Sequence, residues 1–179
     1  MKTGKTVKVL LTAATAAGML AGCGSKTDTD TFRFASELDI QGMDSTVVDD
    51  GMSFNAVHAI TDGLTAVNEK GKTAPAIAKS WDVSDDGKTY TFHLRDAKWS
   101  NGDKVTANDF VYSWRKIIKN AGNYAYMLGS EGASVKNADA LMELGTNATD
   151  EQMATLGVTA KDDKTLVVEL ENKVPYFTD

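Results

Sequence analysis

Residues 80–95 read Ser80-Trp81-Asp82-Val83-Ser84-Asp85-Asp86-Gly87-Lys88-Thr89-Tyr90-Thr91-Phe92-His93-Leu94-Arg95. Two alternating runs flank an Asp-Gly turn, and that pattern predicts an antiparallel β-hairpin. In the second run Tyr90, Phe92 and Leu94 share one face and Thr91, His93 and Arg95 the other, because strand side chains alternate. One face is therefore expected to meet a core and the other to meet water.

Reading outward, Trp99-Ser100-Asn101-Gly102 supplies a second tight turn. Thr106 with Asp109 three residues on forms a capping box opening a helix. Its apolar face is Phe110, Val111, Trp114, Ile117 and Ile118, with Arg115, Lys116 and Lys119 toward the C-terminal end, where cations suit the helix dipole. A short helix is expected over Ala138–Leu144. Thr149 and Gln152 make another capping box, for a helix reaching Gly157. Val158–Ala160 and Thr165–Leu170 are expected strands around Asp162-Asp163, and Val174-Pro175-Tyr176-Phe177 the start of a further element with aromatics facing solvent.

Toward the N-terminus, Ser53 is the expected cap of a helix carrying Phe54, Val57 and Ile60 and closing near Gly63. Asp49-Asp50-Gly51 reads as the turn before it. Leu64–Val67 is extended, Asn68-Glu69-Lys70-Gly71 turns the chain, and Phe32–Ala35 is an opening strand. Mixed strand and helix signals of this kind give an α/β (mixed α+β) fold.

The first 22 residues have a different character. Lys2, Lys5 and Lys8 precede an uncharged run from Val9 to Gly22, the length of a secretory h-region and short of the roughly 20 apolar residues that span a bilayer. The run ends Leu20-Ala21-Gly22-Cys23, a lipobox pattern, so residues 1–22 are expected to be a lipoprotein signal peptide. Cys23, the only cysteine, is the expected acceptor of a diacylglycerol and palmitate. On the scale of myristoyl anchoring, two chains contribute on the order of 20 kcal/mol, a permanent hold on the membrane. Residues 23–31 are then the lipidated cysteine and a flexible polar tether. The expected location is the extracytoplasmic face of the cell membrane, on a surface of the Gram-positive type.

Charge narrows the partners. The chain has 19 basic and 25 acidic residues, net −6, and loss of residues 1–22 removes three lysines and no acid, leaving −9. Nucleic acid asks for a basic face, so no nucleic-acid partner is expected.

Signals for chemistry are few. His58 and His93 have no cysteine or histidine companions at metal-ligand spacing, so no metal and no cofactor are expected. There is no G-x-S-x-G, P-loop or G-x-G-x-x-G, and no enzyme is expected. Asp28 and Asp30 lack the glycine and glutamate of a calcium loop. Asn147-Ala148-Thr149 matches a glycosylation sequon, but Thr149 serves better as a cap. Tyr124, Tyr126 and Met127 are open to core packing, a partner lobe or a ligand.

Ser80–Arg95, with Lys98-Trp99-Ser100-Asn101-Gly102, Asp109-Phe110-Val111-Tyr112-Ser113-Trp114, Met43-Asp44, Asp62-Gly63-Leu64 and Val174-Pro175-Tyr176-Phe177 in order, resembles the oligopeptide-binding lipoproteins of peptide ABC transporters, family 5 extracellular solute-binding proteins. The resemblance implies the N-terminal part of a bilobal periplasmic-binding-protein type II fold. Residues 32–64 would begin the first lobe and residues 65–165 would form its small inserted domain. Residues 32–179 would then be a fragment, since the family's members are several times longer. It further implies capture of an oligopeptide as an added strand, delivered to permease subunits. The loop matching a ligand-pairing strand is Asp49-Asp50-Gly51-Met52, where glycine permits close backbone approach. The same scaffold carries other solutes and signalling peptides, and a surface adhesin is the other reading.

Overall fold

The computed structural model describes residues 35–178. Chain contacts divide the protein into Met1–Ser36 and Glu37–Asp179, and the second unit holds nearly all the described residues. The signal peptide, Cys23, the tether and, but for Ala35, the opening strand at Phe32 lie outside the described residues.

The element order is α1 (Gly51–Ile60), β1 (Thr65–Val67), β2 (Thr73–Pro75), β3 (Ala78–Val83), β4 (Thr89–Leu94), α2 (Ala107–Asn120), α3 (Ala138–Leu144), α4 (Asp150–Met153), β5 (Val158–Asp162) and β6 (Thr165–Glu169), with 3-10 turns at Ala125–Leu128 and Gly145–Asn147. β1 and β2 form a two-stranded ribbon, and the other four strands form an antiparallel sheet in the order β3-β4-β6-β5.

The hairpin forms as its sequence requires. Gly87 adopts φ 69°, a conformation any side chain would strain. Its N–H donates to the Ser84 carbonyl at 2.8 Å. Asp86 Oδ1 accepts from the Ser84 hydroxyl at 2.6 Å and the Lys88 N–H at 3.0 Å, which holds its carboxyl below the usual range. Tyr90, Phe92 and Leu94 are buried while their alternates are not, as the period of two dictates. Leu166 and Val168 of β6 and Val158 of β5 extend the same apolar face, and α2 lays Ala107, Val111 and Ile118 onto it. Asp109 returns to the Thr106 N–H at 2.7 Å, closing the expected box at the head of α2.

Four expectations are corrected. Ser53 does not cap α1; Asp50 does, in an extended conformation (φ −105°, ψ 147°) with Oδ1 accepting from the Ser53 N–H at 2.8 Å. The Ser53 hydroxyl is already committed, accepting from the Gln41 and Gly42 N–H groups at 2.9 and 3.2 Å. The helix also closes at Ile60, its last turn held by the Thr61 N–H and hydroxyl on the Val57 carbonyl, rather than near Gly63.

The helix from Thr149 ends at Met153 although its capping box is made, with Thr149 N–H on Gln152 Oε1 at 2.9 Å. Gly157 cannot be helical because its N–H donates to Lys136 and its carbonyl accepts from Glu169, at the edge of the sheet. Sheet pairing outcompetes helix propagation there. Of the two aromatics at the far end only Tyr176 is exposed; Phe177 folds back onto Tyr90 with ring centroids 4.6 Å apart, and residues 175–178 form a turn.

Candidate functional site

The segment leading into α1 meets the end of α2 and the loop after it. Asp44 Oδ1 accepts from the Thr46 N–H at 3.0 Å and hydroxyl at 2.6 Å, an Asx turn, while Oδ2 receives Lys116 Nζ at 2.5 Å. Lys116 first, then Thr46, hold the Asp44 carboxyl down to about 2. Ala121 closes α2 in the left-handed region at φ 45°, turning the chain toward the 40s segment. Gly122 follows, and a Cβ there would stand 2.8 Å from the Thr46 carbonyl oxygen, so only glycine allows this approach.

Asn123 then donates from Nδ2 to Asp49 Oδ2 at 2.5 Å. Tyr124 sets its ring edge-on to Phe54 at 5.2 Å, a favoured aromatic geometry, and Tyr126 lies 6.4 Å from Tyr124. His58 closes the group 6.5 Å from Phe54. Tyr124, Tyr126 and Met127 remain 40%, 48% and 53% exposed, so they are a surface rim rather than core.

The four residues picked from the sequence are distributed along this rim in different ways. Asp49 is exposed and tied to Asn123. Asp50 is the α1 cap; hydrogen bonds from Ser53 keep its carboxyl below the ordinary range, and its Oδ2 has no partner among the described residues. Gly51 is exposed, and a Cβ built on it would meet nothing within 4 Å, so its backbone faces open space. Met52 is buried, its side chain pointing to the packed side. The segment is thus two aspartates, the second of them extended, followed by the first turn of a helix. Cys23 lies outside the described residues.

The arrangement offers carboxylates, an amide, aromatic faces and main-chain groups: recognition chemistry. Among the described residues no group of three or more His, Cys, Asp or Glu is placed to hold a metal ion. Sequence reading did not find Asp44, Lys116 or Asn123, whose partners lie 72 and 74 positions away. Nothing local marks such pairs.

Comparison with known proteins places the chain. Residues 72–179 match the model of the middle part of the bacterial extracellular solute-binding proteins, family 5. The dipeptide-binding protein of Lactococcus lactis subsp. cremoris is 39% identical over 181 residues, covering 99% of this chain and 31% of that protein. The substrate-binding domain of an oligopeptide ABC transporter from Bacillus anthracis superposes with a TM-score of 0.73 at 38% identity, covering 81% of this chain and 27% of that one. The oligopeptide-binding protein of Haemophilus influenzae, in complex with RPPGFSPFR, gives 0.69 at 40% identity over 76% of this chain and 26% of that one. The chain therefore spans about a third or less of the length of these relatives. Its mixed helix-and-sheet architecture is that of the periplasmic binding proteins of type II. By the family model and by these superpositions together, the chain belongs to the family 5 bacterial extracellular solute-binding proteins.

Proposed function

We propose that this protein acts in capturing oligopeptides outside the cytoplasm, as part of a substrate-binding lipoprotein that delivers them to ABC transporter permease subunits. The observation that carries the reading is the likeness, at 39% and 40% identity, to proteins named for dipeptide and oligopeptide binding. The rim of exposed Asp49 and Gly51, with half-buried Asp50 between them, beside Asn123, Tyr124 and Tyr126 supports it. Flat aromatic faces and main-chain groups hold an extended peptide without reading its side chains, and the exposed carboxylate of Asp49 suits a peptide's positive group. In this reading residues 32–64 begin the first lobe and residues 65–165 are its inserted small domain. Cys23 carries the lipid that keeps the protein at the membrane face. The function asks for binding and release, with no catalytic step.

Titration of the full chain with unlabelled tri- to pentapeptides, followed by amide and aromatic NMR shifts, tests the proposal. Shifts should gather at Asp49–Gly51, Asn123, Tyr124 and Tyr126 and vary little with peptide sequence. Binding is expected to be weak, because the rim is open to solvent on its outer side. Unmoved rim resonances at millimolar peptide would refute it. For the anchor, labelled palmitate should enter the wild-type chain and not C23S.

A further inference from the structure

The 3-10 turn at Ala125–Leu128 sends its four side chains in two directions. With three residues to the turn, positions i and i+3 eclipse one another. Ala125 is 3% exposed and Leu128 packs against the core, so the inner face is theirs. Tyr126 and Met127 take the outer face. The Met127 backbone is held on both sides: its N–H donates to the Tyr124 carbonyl at 3.1 Å, and its carbonyl accepts from the Ala133 N–H at 2.7 Å. The loop thus fixes where the thioether stands and leaves it in solvent beside two rim tyrosines.

The other described methionines differ. Met52 and Met153 are buried, and Met142 is half-buried against the core. Met43 is exposed to a similar degree, 47%, but sits on the segment before α1 rather than on the tyrosine turn. Exposure decides which thioethers a dissolved oxidant reaches, and the product changes the surface it stands on. A methionine is flexible and apolar; its sulfoxide is polar and carries a strong acceptor oxygen. At Met127 that change falls on the apolar part of the rim, with the backbone pinned beneath it.

We infer that Met127 is an oxidant-responsive modification site of the rim, where a peroxide turns the thioether into a sulfoxide and weakens the hold on a peptide. The modification stands on exposure and geometry; the weakening rests on the peptide-capture reading. In the step, the Met127 sulfur attacks one peroxide oxygen, the S–O bond forms and the O–O bond breaks. Sulfur gives up two electrons, and the departing hydroxide takes the proton of the transferred oxygen and leaves as water. The sulfoxide holds water that a bound peptide would have to displace, so contact there is lost. Methionine sulfoxide reductases reverse the change.

The test uses the full chain in dodecyl maltoside, treated with millimolar hydrogen peroxide and quenched with catalase. Peptide mapping by mass should find one added oxygen on Met127 and Met43 before any on Met52, Met142 or Met153. The Tyr124 and Tyr126 ring resonances should shift while the Tyr90 and Phe92 rings stay in place. The apparent Kd for tri-leucine should rise about fourfold, the worth of roughly one buried methylene. In M127L the Kd should not respond to peroxide, M43L should respond as the wild type does, and the reductases should restore the starting value. Met127 left intact at a dose that converts Met43 would overturn the inference. So would a sulfoxide that moves neither tyrosine ring, a peroxide effect that persists in M127L, or movement of the Tyr90 and Phe92 rings, which would mean that oxidation disturbs the core. Absence of tri-leucine binding to the untreated chain would instead sink the capture reading and the weakening with it, while the mapping and the ring shifts still judge the modification site.

Discussion

Lys116 Nζ lies 2.5 Å from Asp44 Oδ2, joining the last turns of α2 to the segment that leads into α1 across 72 positions of sequence. The pair closes one side of the aromatic rim, and Asn123 on Asp49 closes the next. Both contacts are electrostatic and partly in solvent, so their strength depends on conditions that leave the core untouched.

Acid should loosen this junction. Asp44 titrates at about 2 in the folded chain against an ordinary 3.8, so its contribution is complete above about pH 4 and is lost as pH falls toward 2. Lys116 is shifted upward by the same partner and stays charged throughout that window. With 44% of the Asp44 side chain exposed, solvent screening limits the effect to about 2–4 °C in Tm. Thermal melts of D44N should show a flatter decline than wild type between pH 4 and 2; identical slopes would contradict the assignment.

Ser53 is fully buried, and its hydroxyl accepts from the Gln41 and Gly42 N–H groups. S53A removes that acceptor and leaves two donors facing a methyl group. Stability should fall by about 1–3 kcal/mol in urea unfolding, and the Gln41 and Gly42 amides should exchange faster with solvent. Loss of stability without faster exchange at those two amides would place the cause elsewhere.

Phe92 is 2% exposed and packs against Trp81, Tyr90 and Phe177. F92A should cost about 3–5 kcal/mol, since neither the sheet nor α2 can collapse into the cavity. F177A should cost clearly less, because Phe177 keeps part of its ring in solvent. Chemical denaturation of both variants gives the ranking, and the reverse order would mean that the C-terminal turn, rather than the β4 face, holds the core.

A methyl group at position 122 would press on the Thr46 carbonyl from 2.8 Å. G122A should cost about 1–3 kcal/mol and shift the Tyr124 and Phe54 ring resonances while the Tyr90 and Phe92 rings stay in place. Peptide-induced shifts at Tyr126 should weaken in the same variant, since the loop that presents it is displaced.

The legible parts of the sequence were those whose hydrogen bonds close within a few residues. The Asp86-Gly87 hairpin, the Thr106–Asp109 box, the Thr149–Gln152 box and the α3 helix over Ala138–Leu144 all formed where expected. The cap of α1 was misplaced by three residues because Ser53 and Asp50 are both good caps. The choice fell to Asp50 once Gln41 and Gly42 claimed the Ser53 hydroxyl. Of the candidate site, the Asp49–Met52 segment could be named, but Asn123, Lys116 and the exposed setting of Tyr124 and Tyr126 could not be read.

The sequence by itself determined the Asp86-Gly87 hairpin, the capping boxes at Thr106 and Thr149 and the helix over Ala138–Leu144, because alternation, caps and turn glycines act within one or two turns of chain. Only the tertiary structure decided that β6 lies between β4 and β5, that α4 stops at Met153 and that Asp50 rather than Ser53 caps α1. Each of those outcomes compares a local preference with a contact to a residue far away along the chain. Such comparisons are settled by burial and geometry, which exist only after the chain has closed on itself.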